Sequence, residues 1–478
     1  MEWKKYILWF AQQHVNFRYA ELQSLLNLYQ IPHRLPPNIC EEIEQPFQTI
    51  DLPSIECARQ LVSRSVSIRC ILEHWSSASN YESFHKDLRD FVAKNKEDAN
   101  FQQLCKSSFR ITVETYSKTI QHKMKVDKIE TLDYLPFEGD VKLKNPDFEC
   151  CYIEFYGLDP NNAPAEPYNI YFGKWVADGN RSLIHEISLK TRKFIGNTSM
   201  EPTLSLLMAN QAQVKRGDIV FDPFVGTGSL LIAAAKCGGY VMGTDIDYLM
   251  LHGKTKPSRV SQKTRDEDES ILANLKQYNC DHLYLDVLVS DFSNSIWHDK
   301  IVQLDSIITD PPYGIREARE KIETKVRRPL RPDSVDPVHY PSTSPYQLSN
   351  LYKDLLDFAA KHLRIGGRLV CWIPIYKSDY SESCIPKSNC LRLIANSEQT
   401  LSSICARRLL TYEKIAEPDE DHLENIDQIK DDFRHRFFAF DDMERQEKRI
   451  QRLELRDMLR QEAIKRGKVI IENDQQSQ

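Results

Sequence analysis

The chain has 478 residues, 41% of them apolar and 28% charged, with a formal net charge of −6 at pH 7. At ~150 residues per domain this leaves room for about three domains. It excludes collagen-like, glycine-rich disordered and small stapled folds, and a surface coated in positive charge for nonspecific DNA binding. No apolar run approaches the ~18 residues of a membrane-spanning helix, so no membrane role is expected. The 12 cysteines show no C-x-x-C and no Cys/His spacing of a zinc site, so free thiols in a reducing compartment are expected, and no metal. The N-terminus lacks the apolar stretch and small-residue cleavage site of a secretory signal, which points to a cytoplasmic protein. Only 16 residues are glycine. The first is Gly139, and six fall between Gly217 and Gly243.

Tyr6–Phe10 reads as a strand, and Tyr19–Tyr29 as a helix with Leu22, Leu25 and Leu26 at helical spacing. Gln48–Leu52 (strand), Ile55–Val62 (helix) and Val66–Leu72 (strand) complete a small α+β unit over residues 1–78. Tyr81–Asn95 is an amphipathic helix with Phe84, Leu88, Phe91 and Val92 inward. Phe109–Tyr116, Asp147–Tyr156 and Tyr168–Val176 alternate as strands, giving a second α+β unit over 79–178. From 179 to 416 the pattern changes. The Thr198-Ser199-Met200-Glu201 segment fits a capping box opening a helix at Pro202–Ala212. Strands at Ile219–Phe221, Tyr240–Gly243, Tyr284–Val289, Leu304–Thr309 and Arg368–Ile375 alternate with helices at Ser229–Cys237, Glu269–Tyr278 and Leu351–Leu363. That order predicts an α/β fold, a doubly wound parallel sheet with helices on both faces. Leu391–Ala395 and Ala406–Ile415 read as a final antiparallel pair. Residues 417–478 are a charged C-terminal tail: 417–442 carries ten acidic and three basic side chains, and Met443–Arg466 is helical in pattern.

The glycine cluster contains Asp222-Pro223-Phe224-Val225-Gly226-Thr227-Gly228, running from a buried strand into a helix. Gly226 and Gly228 permit a sharp turn and close approach of a ligand. The helix N-terminus that follows presents unpaired N–H groups. No Gly-Lys-Ser/Thr follows, so this is not a phosphate loop. Asp222 beside the turn repels a pyrophosphate but suits an amino group. Asp245 closes the next strand and suits the two hydroxyls of a ribose, as in dinucleotide folds. Asp291 and Phe292 end the third strand, offering an acceptor and an aromatic face to a purine. Three carboxylates at successive strand ends describe a site for an adenosine with a positively charged amino-acid group and no phosphate. S-adenosylmethionine meets that description.

Asp310-Pro311-Pro312-Tyr313 follows the fourth strand directly. Two prolines fix the backbone and remove two donors, leaving the Asp310 carboxylate and nearby carbonyls as concentrated acceptors. Tyr313 adds a flat ring. Such a site suits a planar substrate bearing an NH₂ group. Hydrogen bonds drawn from that amine return electron density to nitrogen and stabilise the charge that develops during methyl transfer.

Residues 190–375 resemble S-adenosylmethionine-dependent enzymes with Asp/Asn-Pro-Pro-Tyr motifs that methylate nucleobase or amide nitrogens. The segment 190–202, including Lys190, Arg192, Lys193 and Thr198, is similar to the lead-in of RNA guanine-N2 methyltransferases that carry a THUMP domain, and 141–147 resembles a THUMP segment. To about residue 440 the chain resembles the catalytic subunits of tRNA guanine-10-N2 methyltransferases. The resemblance implies a class I methyltransferase domain with a seven-stranded sheet, preceded by ferredoxin-like and THUMP domains that grip tRNA. It also implies a heterodimer with a small zinc-binding activator subunit. Thr198, Asp222, Pro223, Phe224, Gly226, Gly228, Asp245, Asp291 and Phe292 are the candidate cofactor residues, and Asp310, Pro311, Pro312 and Tyr313 the catalytic ones. Arg316 and the basic run after it, including Arg327 and Arg328, are placed to clamp RNA phosphates, as are Arg181, Lys190, Arg192 and Lys193 between the domains. Other readings are a protein-glutamine or DNA-adenine methyltransferase with the same motif, or a non-catalytic RNA-binding scaffold.

Overall fold

The computed structural model describes residues 3–37, 39, 41–294, 296–297, 303–315, 317–323, 341–419, 422–439 and 458. In its first part, β1 (Lys4–Phe10), α1 (Arg18–Leu28), β2 (Phe47–Leu52), α2 (Ile55–Val62) and β3 (Ile68–Ala78) are followed by α3 (Tyr81–Asn95), α4 (Ala99–Lys106), β4 (Phe109–Tyr116), α5 (His122–Glu130), β5 (Phe148–Phe155) and β6 (Asn169–Asp178). All six strands lie in one sheet of order β2-β1-β3-β6-β5-β4. Neighbours are antiparallel except β4 and β5, which are parallel.

The sequence pattern ends β3 near Leu72. In the structure it runs on to Ala78, because β6 pairs along its whole length, from Cys70↔Asp178 to Ala78↔Ile170. The two α+β units expected on either side of residue 78 therefore share a sheet. One core, with Tyr6, Leu8, Leu25, Leu61 and Ile71, lies under α1 and α2, and another, with Trp75, Phe84, Leu88 and Phe172, lies under α3 and α4. Asn80 caps α3 by accepting the Ser83 N–H at 2.9 Å.

After α6 (Ser182–Glu186), the second part contains α7 (Pro202–Gln211), β7 (Ile219–Asp222), α8 (Ser229–Lys236), β8 (Tyr240–Asp245), α9 (Tyr248–Leu251), α10 (Ile271–Gln277), β9 (Tyr284–Val289) and β10 (Leu304–Thr309). A hairpin of β11 (Glu320–Ile322) and β12 (Thr343–Pro345) precedes α11 (Leu348–His362) and β13 (Leu363–Tyr376). Then come β14 (Lys387–Ser388), β15 (Leu391–Thr400), β16 (Cys405–Lys414) and β17 (Leu423–Glu424). The seven-stranded sheet has the order β15-β16-β13-β10-β7-β8-β9. β13, β10, β7, β8 and β9 are parallel, and β16 runs antiparallel to both its neighbours. Helices α7, α8 and α10 cover one face and α11 the other. No helix among the described residues is long and apolar enough to cross a membrane.

Helix α7 joins the two parts, and all ten of its residues are buried. It opens on Pro202 with Glu201 as N-cap and no side-chain cap, so the capping-box expectation is corrected. The hydroxyl of Thr198 reaches Glu317 instead, at 2.9 Å. Against α7, the buried carboxylate of Glu21 on α1 accepts from Ser65 Oγ (2.7 Å), Val66 N (2.9 Å), Ser67 N (2.9 Å) and Asn210 Nδ2 (2.7 Å). Arg64 donates to Asn210 Oδ1 at 2.9 Å. Of these donors only Asn210 belongs to the second part, so Glu21 links the two sheets through α7, and breaking that contact removes one donor from a buried carboxylate.

The C-terminal segment enters the core further than its composition suggests. Ile429 and Phe433 are buried beside α11 and the end of β13, and the Tyr376 hydroxyl donates to the Phe433 carbonyl at 2.7 Å. The helical stretch expected at Met443–Arg466 lies outside the described residues apart from Met458.

Candidate active site at the strand ends

The cofactor loop is built at the carboxyl ends of β7 and β8, where open α/β sheets bind ligands. Gly226 and Gly228 adopt positive φ, +51° and +77°, and Gly228 is the N-cap of α8. A Cβ on Gly226 would meet nothing within 4 Å, so the turn borders open space. Gly243 serves by close approach: a Cβ there would lie 2.2 Å from the Asp222 carbonyl oxygen. The loop is held by Val225 N to Thr244 O at 3.0 Å, and by Thr244 Oγ1 to the carbonyl of buried Pro223 at 3.1 Å.

Both acids of the loop are shaped by backbone donors. Asp245 accepts from Gly226 N at 2.8 Å and from Asp247 N at 2.9 Å. Asp222 accepts from Phe224 N at 3.0 Å and from the Thr309 hydroxyl at 2.7 Å. Thr309 immediately precedes Asp310, so Asp222 ties the cofactor loop to the catalytic turn. Burial raises the Asp222 carboxyl to about 7, against the hydrogen bonds that lower it, and Asp245 and Asp310 add to the rise. Burial likewise raises Asp245 to about 6, with Asp247 and Glu317 adding. The charges that act on both groups are other carboxylates. Such a pocket favours a cationic ligand with hydroxyl donors.

Asp291 and Phe292 sit at the end of β9 as expected, but more enclosed. Asp291 is 7% exposed and accepts from Ser293 N at 2.9 Å and Ile322 N at 2.6 Å, so it also anchors the β11 hairpin. Phe292 packs edge-on against Phe224 and Phe358, with ring centroids 5.1 and 5.3 Å away.

The Asp310–Tyr313 turn leaves β10 beside the cofactor loop. The Tyr313 hydroxyl donates to Asp310 Oδ1. Burial, and then the Asp310 charge, push the Tyr313 phenol well above its ordinary value, so it stays a donor. Arg407 on β16 donates to Asp310 Oδ2 at 2.9 Å. Arg407 is a residue that the local sequence does not single out. Its only local signal is a pair of arginines, Arg407-Arg408, near the start of a strand whose middle is apolar.

The expected RNA-facing residues divide. Lys190 and Lys193 are exposed, and Lys193 pairs with exposed Asp268 at 2.8 Å. Arg192 must be corrected: it is fully buried, donating to Ser229 Oγ at 2.8 Å and the Ile187 carbonyl at 2.7 Å. Its stem and charge brace the start of α8, out of reach of RNA. Arg181 is half-buried and donates to the Val66 carbonyl at 2.6 Å, which makes it a link between the two parts of the chain. Arg316, Arg327 and Arg328 lie outside the described residues.

S-adenosylmethionine fits the residues present. Open space borders the glycine turn, the α8 N-terminus faces it, and the buried Asp222 and half-buried Asp245 lack a basic partner among the charges acting on them. Fold and site together define a class I S-adenosylmethionine-dependent methyltransferase of the amine-methylating kind. A family profile described as the Tmrp11 THUMP N-terminal domain matches residues 4–181, and an RMKL-like methyltransferase domain profile matches 190–328. The chain is 45% identical to the tRNA (guanine(10)-N(2))-methyltransferase TRMT11 of Gallus gallus over 414 residues, covering 87% of this chain and 88% of that protein. The Homo sapiens protein of the same name is 44% identical over 86% of this chain and 88% of its own length. The Saccharomyces cerevisiae tRNA (guanine(10)-N(2))-methyltransferase is 35% identical over 91% of this chain and 99% of its own length. The chain belongs to the tRNA (guanine(10)-N(2))-methyltransferase family.

Proposed function

We infer that this chain is the catalytic subunit that methylates the exocyclic N2 of guanosine 10 in tRNA. The observation that carries the site assignment is the Asp310–Tyr313 turn, tied through Thr309 and Asp222 to the glycine loop. Bound S-adenosylmethionine supplies a methyl group on a positively charged sulfur. Asp245 accepts hydroxyl protons of the ribose, Asp222 shapes the turn under the amino-acid end, and Asp291 with Phe292 bounds the purine. Asp310 and the Pro311 carbonyl accept the two hydrogens of the guanine amine. They aim its nitrogen at the methyl group and stabilise the positive charge that grows there. Tyr313, its hydroxyl anchored on Asp310, provides the ring on which the flipped base stacks. The amine proton leaves after transfer, so no strong general base is needed.

Two further elements belong to this reading. The small zinc-binding activator docks on the edge strand β9. Its support is exposed apolar surface on that unpaired edge, where Leu285 is 49% and Val289 45% exposed. The protein works in the cytoplasm, with thiols at all eleven described cysteines in keeping with a reducing compartment. Cell fractionation tests the second point. Solubility and full activity of the purified chain alone would refute the first.

Incubation with labelled cofactor and bulk tRNA, followed by nucleoside mass spectrometry, tests the function. N2-methylguanosine is the expected product. Label in DNA adenine or in protein glutamine would support the other enzymatic reading, and no label the scaffold. Asp310→Ala is expected to abolish transfer while cofactor affinity stays within about threefold, since Asp310 acts on the amine and not the cofactor. Parallel loss of cofactor binding would refute that division of roles.

A further inference from the structure

Arg407 is costly where it stands. Its side chain is only 12% exposed, next to an Asp310 side chain that is 24% exposed. A half-desolvated ion pair contributes little to stability compared with apolar packing of the same volume. Five groups nonetheless fix this guanidinium, among them the Tyr313 hydroxyl, 3.5 Å from Nη1. The Trp372 ring lies under it with its centroid at 4.0 Å. Gln399 accepts from Nε at 2.7 Å, Met200 Sδ lies 3.5 Å from Nη2, and Nη1 reaches Asp310 at 2.9 Å. Trp372 is itself fully buried, donates to Met208 Sδ at 3.2 Å, and has Phe17 of the N-terminal part 5.7 Å away between ring centroids. Sheet register explains the meeting: Thr309 lies beside Cys371 on β13, and Arg407 lies beside Pro374 on the same strand.

We propose that Arg407 is a positioning residue for methyl transfer, holding the Asp310 carboxylate in the orientation that receives the guanine amine. One oxygen of that carboxylate is held by the guanidinium and the other by the Tyr313 hydroxyl. Each oxygen keeps a second lone pair, and the carboxylate cannot rotate away when the base leaves. The same clamp orients Tyr313, because its hydroxyl shares the Asp310 anchor. This inference rests on the proposed role of Asp310.

The test compares Arg407→Ala, Arg407→Lys and Asp310→Asn with the double variant Asp310→Asn/Arg407→Ala, in the full-length protein with any partner it requires. A misplaced acceptor of this kind typically costs about 100-fold, so Arg407→Ala is expected to lose about 100-fold in kcat. KM for tRNA and cofactor affinity should stay within about threefold, and Arg407→Lys should recover part of the rate. The double variant should be no slower than Asp310→Asn, because Arg407 acts only through Asp310. A kcat for Arg407→Ala within threefold of wild type overturns the proposal. So does a loss matched by weaker cofactor binding, or losses that multiply in the double variant. Should Arg407→Ala not fold, Arg407→Gln against Asp310→Asn/Arg407→Gln is judged by the same criteria. An active Asp310→Ala refutes the reading of Asp310 itself, whereas an inactive Asp310→Ala with an active Arg407→Ala refutes the clamp alone.

Discussion

Cofactor affinity should depend on pH through Asp245, and the structure sets the size of the effect. The carboxylate is raised to about 6 by burial. A ribose hydroxyl donates best to the ionised form, so binding draws Asp245 toward its charged state. If only that form binds, Kd scales with 1 + 10^(pKa − pH), a weakening of about fourfold from pH 7.5 to 5.5. If Asp222, at about 7, must also ionise, it adds about 25-fold over the same interval, and the two together give about 100-fold. Titration calorimetry with methylthioadenosine, which keeps the ribose but lacks the amino-acid group, separates the two contributions. It should follow the shallow curve, and S-adenosylhomocysteine the steeper one. Asp245→Asn should flatten the methylthioadenosine curve while weakening binding at pH 7.5. Affinity constant from pH 5.5 to 7.5, or an Asp245→Asn curve as steep as wild type, would refute the assignment of Asp245. Stability of the unliganded protein carries the opposite sign. Both acids are raised above their unfolded value of about 3.9, so the folded chain holds protons that the unfolded chain has released between about pH 4 and 7. Their contribution to stability is complete below about pH 4 and is lost as pH rises through about 6 to 7.

The other predictions concern the loop, the C-terminal segment and the junction. Gly228→Ala places a side chain at φ +77° and 2.8 Å from Ile271 Cγ2, which should cost about 1–2 kcal/mol by thermal or denaturant unfolding and weaken cofactor binding. Gly243→Ala should be worse, because the obstruction at 2.2 Å is the Asp222 backbone and cannot rotate away; binding comparable to wild type would show that the loop is not rigid. Phe433→Ala should destabilise by about 3–5 kcal/mol, since the ring is 2% exposed; a shift under 1 kcal/mol would return the segment to the status of a solvated tail. Asn210→Ala removes one donor from buried Glu21 and should cost about 1–3 kcal/mol, measured as unfolding of the whole chain in a single transition.

What the sequence revealed and what it hid have physical causes. The Gly226–Gly228 turn, Asp245 and the Asp310–Tyr313 turn were readable because each is a short run of unusual residues at a strand end. Alternation of strand and helix then places strand ends together. Arg407 was not readable, because it meets Asp310 from 97 positions away through the register of two strands. Arg192 was misread for the converse reason. A run of Lys and Arg shows charge but not direction, and here the lysines face out while the arginine turns under α8. β3 was cut short because its second half, Glu73 to Ala78, is mostly polar or small; β6 supplies the pairing that keeps it extended. The acidic stretch after 416 concealed Ile429 and Phe433, two apolar residues that suffice to bury the segment.

The junction between the two sheets bears on how a tRNA position is selected. Helix α7 has no exposed face, and Trp372 of the catalytic sheet packs against Phe17 of the first. Removing the N-terminal part would expose α7 and take Glu21 away from Asn210, so the methyltransferase half is not an independent unit. The brace continues inward from Phe17 to Trp372, from Trp372 to Arg407, and from Arg407 to Asp310. The part of the chain proposed to grip the tRNA therefore shares a packed path with the acceptor proposed to take the guanine amine. A hinge between them would let one bound tRNA present several bases. A fixed junction leaves a single distance between grip and acceptor, and selection of one nucleotide then follows from geometry without contacts that read its neighbours.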